Sequence, residues 1–318
     1  MIRQSISFAV IAALAASMSQ VAPARNVTVD CGAKKSPSLQ SVIDGLTKTE
    51  ANTVTVIGAC TGSLDIQGHR DLTMIGSGGA SITAAAEADA TINIRDSRTR
   101  IRGVNVSAAN LTYFGIACDD HSFCSLDGVS ARDAKGDGVT VQQQSSVNIV
   151  GTSAVSFSGN ALSGIGVYGQ SSANIRPAVF DQPGPTISTN GFAGITVLDG
   201  SFLRIENASI TANQGSGIIA DRGAILKVFA TPVTNNAADG MFVRNSTLQL
   251  SPQYGLPAPV TGNLGAGLVL RSLSFAAFSG TLSGNGGAFP NGVDCKPGAA
   301  LRASAAIRSA SSPNCGVE

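Results

Sequence analysis

The amino-acid sequence predicts an all-β fold, a single parallel solenoid of about nine to ten stacked coils. Three observations support this prediction. A glycine-anchored apolar motif recurs about every 25 residues, asparagine precedes it at a fixed distance, and 37 of the 318 residues are glycine. Only 13% of the side chains are charged, and the formal net charge is +1. This balance argues against intrinsic disorder, which needs high net charge, and against nucleic-acid binding, which needs a basic surface.

Each repeat starts with glycine and continues with an apolar residue, any residue and a second apolar residue, the period-two pattern of a strand. A second alternating run follows, as in Leu203-Arg204-Ile205, and then a third group, as in Ala208-Ser209-Ile210. A propeller blade needs about 40 residues, so this shorter unit predicts one coil of a right-handed parallel β-helix. The motif begins in weaker form at Ser63 and Thr91, and then at Gly115, Gly138, Gly164, Gly194, Gly217, Gly240 and Gly267.

Asparagine stands four residues before the anchor glycine in five coils, and one further asparagine continues the series. Asparagine tolerates the left-handed backbone conformation that tight turns require. When asparagines stack at the same turn of successive coils, each side-chain amide donates a hydrogen bond to one neighbouring coil and accepts one from the other. We therefore expect a structural ladder made of Asn160, Asn190, Asn213, Asn236, Asn263 and Asn285.

The ends of such a solenoid must be covered, because open coils expose strand edges and an apolar interior. Residues 25–62 are predicted to form an N-terminal cap and the first coil. Within them, Ser38 to Thr47 has the apolar spacing of an amphipathic helix, which would act as the lid. Residues 63–292 carry the β-helix repeats, and residues 293–318 form a C-terminal cap or tail.

Residues 1–24 have the features of a signal peptide. Arg3 is followed by an apolar run and then by the small-residue pattern Ala22-Pro23-Ala24. Cleavage near Ala24 would make the mature chain secreted or periplasmic. No later stretch reaches the roughly 18 apolar residues of a membrane span, so no membrane span is expected in the mature chain.

The six cysteines agree with export, because disulfides persist in oxidising compartments. Sequence alone does not choose among their pairings. Their grouping near the start, the middle and the end nevertheless suggests three local bridges, with Cys31 near Cys60, Cys118 near Cys124, and Cys295 near Cys315.

The Asn-x-x-x-Gly-aliphatic-x-aliphatic repeat resembles the right-handed parallel β-helix, or pectin-lyase-like, superfamily of secreted proteins. The resemblance covers roughly residues 50 to 295. That superfamily includes polysaccharide lyases, hydrolases, epimerases and adhesins, so the resemblance implies a fold and does not select one activity.

Chemistry is expected in the turn between the first and second strands of each coil. Asp119, Asp120 and His121 are the best catalytic candidates, because adjacent carboxylates serve as acid and base or bind Ca²⁺, and histidine is a base near neutral pH. Both histidines, His69 and His121, are assigned the same offset, two coils or about 10 Å apart. The alternative is that charged residues collect there because turns are solvated. Candidate ligand-binding residues in the same turn of other coils are Arg95, Asp96, Gln143 and Tyr168.

Two further acidic residues, Asp133 and Asp137, flank Lys135 and are predicted to be turn residues. The Asp-His pair is similar to the Asp-His element of pectate lyases. The accompanying tryptophan and the Arg-Pro-x-x-Arg stretch are absent, as are the Asn-Thr-Asp, Gly-His-Gly and Arg-Ile-Lys elements of polygalacturonases.

These departures favour a non-enzymatic exported protein that binds polysaccharide or a cell-surface glycan through its solenoid faces. This interpretation includes no nucleic-acid partner, no cofactor and no assigned metal site. The alternative is a polysaccharide lyase or epimerase acting on acidic glycans. Ca²⁺ enters only under that alternative.

Overall fold

The computed structural model describes residues 24–317. The predicted signal peptide therefore lies outside the described residues, except for Ala24. Within the described part the chain forms one right-handed parallel β-solenoid of about 11 turns. The predicted all-β parallel fold is confirmed, but the expected nine to ten coils are too few. The count of nine motifs leaves out the first-face strand Val293–Cys295 and the terminal strands of the second face, such as Asn26–Asp30 and Gly316–Val317.

The first face of the solenoid is built from the glycine-anchored strands, which form a parallel sheet of ten strands. The inward positions that follow the anchor are aliphatic, methionine or cysteine, and the stacked side chains fill the core. The strands of the first face are Leu64–Gln67, Ala88–Arg95, Thr112–Asp119, Val139–Val141, Ile165–Val167, Ile195–Val197, Ile218–Ala220, Met241–Arg244, Leu268–Arg271 and Val293–Cys295.

The second and third faces are joined into one 21-stranded sheet, because two long strands, Ala51–Thr61 and Asp71–Thr83, run through both. The other strands of the second face are Asn26–Asp30, Arg98–Arg102, Phe123–Asp127, Ser146–Gly151, Ser172–Pro177, Phe202–Glu206, Ile225–Phe229, Thr247–Ser251, Phe275–Phe278, Ala300–Ala303 and Gly316–Val317. Those of the third face are Asn105–Ser107, Ser130–Arg132, Ser156–Ser158, Thr186–Ser188, Ser209–Thr211, Val233–Thr234, Pro259–Thr261 and Thr281–Ser283.

The N-terminal end is covered by a short helix, Leu39–Asp44, which is shorter than the predicted Ser38 to Thr47. Ser38 caps it by accepting a hydrogen bond from the Ser41 backbone N–H at 3.1 Å. Leu39 and Ile43 are buried against the core. At the other end the first face continues through Val293–Cys295, so regular coils extend beyond residue 292, where the tail was expected to begin. A second helix, Ala305–Ser309, follows.

The prediction of disulfide bonds is confirmed, and the pairs are local: Cys31–Cys60, Cys118–Cys124 and Cys295–Cys315. The first ties the N-terminal cap to the first full coil, and the last closes the C-terminal end. Within residues 24–317, no helix is long and apolar enough to cross a membrane.

The six asparagines stack at the turn between the third and first faces. Each Nδ2 donates to the Oδ1 of the next asparagine at 2.9 Å, from Asn160 through to Asn285. The left-handed conformation belongs to the residue before each asparagine, such as Thr189 (φ 55°) and Ala212 (φ 55°). The expectation that the asparagines adopt it is therefore wrong. Their contribution is the buried amide and not the backbone.

Candidate functional site

The turn between the first and second faces carries the residues predicted to be functional. Asp119 is the last residue of its strand, and Asp120 and His121 follow in the left-handed conformation (φ 52° and 60°). The Cys118–Cys124 disulfide spans this turn. The geometry of the turn is therefore set by the disulfide on the core side and by the positive φ of Asp120 and His121 on the solvent side.

Hydrogen bonds divide this cluster into an occupied and a free part. Asp119 accepts from the Asp120 backbone N–H at 2.8 Å and from Gln142 Nε2 at 3.1 Å. Asp120 Oδ1 lies 3.1 Å from His121 Nδ1, and the His121 side chain is 66% exposed. Each oxygen of Asp119 thus already accepts one hydrogen bond, whereas the Asp120–His121 pair is exposed to solvent.

This donor set does not fit Ca²⁺. The ion takes six to eight oxygen ligands, several of them carboxylates. Among residues 24–317 there is no group of three or more His, Cys, Asp or Glu side chains that could hold a metal ion.

The other predicted ligand-binding residues separate into two sets. Arg95 stacks beside Asp119 in the sheet register and pairs with Asp65 at 2.8 Å. Asp96 and Gln143 lie in the same turn of neighbouring coils, both in the left-handed conformation. Tyr168 leaves this turn, because its ring lies over Gly166 on the outside of the first face. The structure therefore brings Arg95, Asp96 and Gln143 near the cluster, but not Tyr168.

The two histidines do not occupy equivalent positions, contrary to the prediction. The turn at Asp120 and His121 has one more residue than the turn before His69, which shifts the alignment by one. His69 is 2% exposed, and its backbone N–H donates to Ser97 Oγ at 3.0 Å. Burial lowers its pKa, with a smaller effect from nearby Lys48. His69 is therefore a neutral structural residue.

His69 takes the first position of a serine ladder that sequence reasoning missed. The ladder lies at the start of the second-face strands, and each backbone N–H donates to the serine hydroxyl of the next coil at 3.0–3.2 Å. The signal was visible as a serine directly before five consecutive second-face strands, from Arg98–Arg102 to Phe202–Glu206. The buried serines that form the ladder are Ser97, Ser122, Ser145, Ser171 and Ser201.

Asp137 is not the solvated turn residue that the sequence suggested. It is 2% exposed, and its carboxylate accepts from the Ser163 backbone N–H at 2.9 Å and from the Tyr168 hydroxyl at 2.8 Å. Burial raises its pKa to about 6. The neighbouring Asp133 does occupy a turn, with φ 61°. Tyr168 and Asp137 thus form a buried pair that clamps adjacent coils.

This pair makes stability depend on pH. Because the folded-state pKa of Asp137 is raised, the folded protein binds more protons than the unfolded chain between about pH 4 and pH 6. The free energy of unfolding should therefore fall by roughly 2 kcal/mol as the pH rises through this window. Asp137→Asn keeps an acceptor but does not titrate. Urea unfolding of both proteins at pH 4 and pH 6.5 should show this loss only in the wild type; parallel pH profiles would contradict it.

A second feature missed by sequence reasoning is the outer surface of the second face. Six consecutive strands, from Arg98–Arg102 to Ile225–Phe229, contain six basic and two acidic residues. All eight are at outward positions of the alternating pattern. The basic residues are Arg98, Arg100, Arg102, Arg176, Arg204 and Lys227, and the acidic ones are Asp127 and Glu206.

A depression of about 410 Å³ lies in the middle of this basic surface. The strand register stacks Phe123, Ser146, Ser172 and Phe202 in one row, so the two phenylalanines are three strand steps, about 14 Å, apart. The short serines leave the space between the rings open.

Polar and cationic groups surround this space. Arg98 Cζ lies 5.3 Å from the centroid of the Phe123 ring, and Lys227 Nζ lies 5.9 Å from that of Phe202. In the floor, Asn174 Nδ2 donates to Asn148 Oδ1 at 3.0 Å. The buried Oδ1 of Asn174 has no hydrogen-bond partner among residues 24–317. The depression therefore offers two apolar rings, two cations beside them and two side-chain amides.

The fold defines the class: the chain has the right-handed parallel β-helix fold, and the predicted resemblance to proteins of that fold is confirmed. Residues 147–251 match the family model described as right handed beta helix region. No curated protein matches the chain by sequence.

Solved structures share the fold at low sequence identity. The enzymatically active domain of tailspike protein 2 from bacteriophage CBA120 aligns with a TM-score of 0.59 and 13% identity over 88% of this chain, which spans only 47% of that one. The mannuronan C-5 epimerase AlgE4 A-module of Azotobacter vinelandii aligns with a TM-score of 0.53 and 11% identity. The alignment covers 88% of this chain and 92% of that one. Pectate lyase Pel9A aligns with a TM-score of 0.52 and 11% identity, over 79% of this chain and 75% of that one.

Proposed function

We propose that the protein binds an acidic polysaccharide along its second face, centred on the depression between Phe123 and Phe202. The observation that carries this proposal is the combination of two partly exposed phenylalanine rings with the cations beside them. The apolar faces of sugar rings stack on aromatic side chains. Carboxylate or sulfate groups on the same chain would pair with the arginines, which favour planar anions.

The polar floor supports the same ligand. Sugar hydroxyls both donate and accept hydrogen bonds, which matches the Asn148 and Asn174 side chains that line the depression. The solved structures with this fold include a pectate lyase and a mannuronan C-5 epimerase, and their names give pectate and mannuronan as substrates. We propose that the protein acts outside the cell or in the periplasm, because its three disulfides are typical of oxidising compartments.

Catalysis as a lyase or epimerase is the second candidate, and one observation favours it. The exposed Asp120–His121 pair comes two residues before Phe123 and therefore borders the depression. A base at this rim would reach a sugar bound beside Phe123.

Titration calorimetry against polygalacturonate, alginate and a neutral glucan tests the proposal. We expect binding of the two acidic polymers only, weakening strongly as salt rises, since surface charges are screened by ions. Equal binding of the neutral glucan, or salt-independent binding, would contradict it. The same mixtures are assayed for unsaturated product. Product formed by the wild type and absent with His121→Ala would establish the second candidate instead.

A further inference from the structure

Two inserts interrupt the repeat at the turn between the second and third faces. Residues 178–185 follow the strand Ser172–Pro177, and residues 252–258 follow Thr247–Ser251. The same turn in an intervening coil needs only residues 207–208. The inserts are three strand steps, about 14 Å, apart along the solenoid. Both therefore project from one edge of the basic face.

The inserts meet through exposed aromatic rings. The ring centroids of Phe180 and Tyr254 are 5.7 Å apart in an edge-to-face arrangement. Phe180 is 60% exposed and Tyr254 is 63% exposed, and Val179 beside them is also exposed. Aromatic side chains usually bury their large apolar area. An exposed aromatic cluster on a polar surface indicates a binding site.

Local structure holds the two rings in place. Tyr254 lies at the tip of a hairpin closed by paired backbone hydrogen bonds between Gln253 and Leu256. Its φ is 53°, a conformation that is unfavourable for a bulky residue. The first insert is fixed because Asn207 Nδ2 donates to the Gln182 carbonyl at 2.7 Å. The chain thus accepts strain to present an aromatic ring to solvent.

The strands between the inserts connect this aromatic pair to the depression. They end in Glu206 and Phe229, and Arg204 Cζ lies 4.9 Å from the centroid of the Phe229 ring. Rings and cations therefore continue from Phe202 toward the edge on which the inserts stand. Arg204 is also paired with Glu206, so this edge offers a sugar ring mainly a stacking surface.

We propose that Phe180 and Tyr254 form a second sugar-stacking site, which binds the same polysaccharide chain after it leaves the depression. This inference rests on the proposed function. A chain that occupies both sites gains avidity, because the second contact is intramolecular once the first is made. A trisaccharide reaches only one site, so it gains nothing from the second.

The test uses two variants that remove one ring each, Phe180→Ser and Tyr254→Asn, alone and combined. Asparagine suits the positive φ at position 254, so this substitution should preserve the hairpin. The double variant should bind an acidic trisaccharide like the wild type and bind a long polymer fraction about tenfold more weakly. Phe192→Ala, which removes an exposed aromatic ring at the turn of the asparagine ladder, should change neither affinity.

The outcomes separate this inference from the function on which it rests. A wild type that binds no acidic glycan of any length refutes both. Unchanged affinity of the double variant for the long polymer refutes only the second site. If sedimentation shows a wild-type dimer that the double variant loses, the rings join two copies of the chain and the second site is refuted. The thermal midpoint of each variant verifies that it is folded.

Discussion

Replacing Asn213 by alanine is expected to lower the free energy of unfolding by about 4 kcal/mol. Asn213 Oδ1 accepts from both the backbone N–H of Asn190 at 3.1 Å and its side-chain Nδ2 at 2.9 Å. Both donors are buried and would lose this acceptor. The Nδ2 of Asn213 itself donates to Asn236 Oδ1 at 2.9 Å. Each buried donor left unsatisfied costs about 1–3 kcal/mol.

Guanidinium unfolding followed by circular dichroism measures this cost. Asn148→Ala is the matched control, because its amide accepts a single bond from Asn174 and faces outward on the second face. We expect the control to cost under about 1.5 kcal/mol. Equal costs at the two positions would show that the ladder contributes no more than a surface amide.

The fold was predictable because the same steric constraint recurs in every coil. A side chain at Gly194 would meet the Gly217 carbonyl oxygen at 2.7 Å and Asn213 Nδ2 at 2.9 Å. Only glycine allows this approach, so glycine recurs at this position in the regular coils from Gly115 to Gly267. Because this steric constraint recurs, glycine recurs in the sequence, and the repeat can be recognised without the structure.

The buried pair of Asp137 and Tyr168 was not predictable for the opposite reason. It forms once, between residues 31 apart, and depends on the missing side chain at Gly166, over which the tyrosine ring lies. The extra residue at Asp120–His121 similarly shifted the alignment of the turns. Single events of this kind leave no periodic signal.

The basic face was missed because its outward residues differ from coil to coil. In one row, Phe123 is followed by two serines and then by Phe202. The residue type changes from strand to strand along this row. Only the pairing register of the strands therefore shows that the two rings enclose one depression. The sequence indicated where the strands lie, whereas the ligand-binding surface depends on which coils are neighbours.

Replacing both Phe123 and Phe202 by alanine is expected to weaken binding of polygalacturonate about a hundredfold, or about 3 kcal/mol. Each ring provides a stacking surface of about 1–1.5 kcal/mol. Each also holds a cation, Arg98 or Lys227, over the depression, and these would lose their fixed position. Titration calorimetry at low salt measures the loss.

A matched cation–aromatic pair on another face separates this effect from a general loss of exposed phenylalanine. Arg271 Cζ lies 5.2 Å from the centroid of the Phe242 ring on the first face, nearly the geometry of Arg98 over Phe123. Phe242→Ala should therefore leave polygalacturonate binding unchanged. If it weakens binding as much as the double variant does, the polysaccharide does not distinguish the faces and the assignment to the second face is wrong. Because the two pairs match in chemistry, only their position on the solenoid can produce the difference.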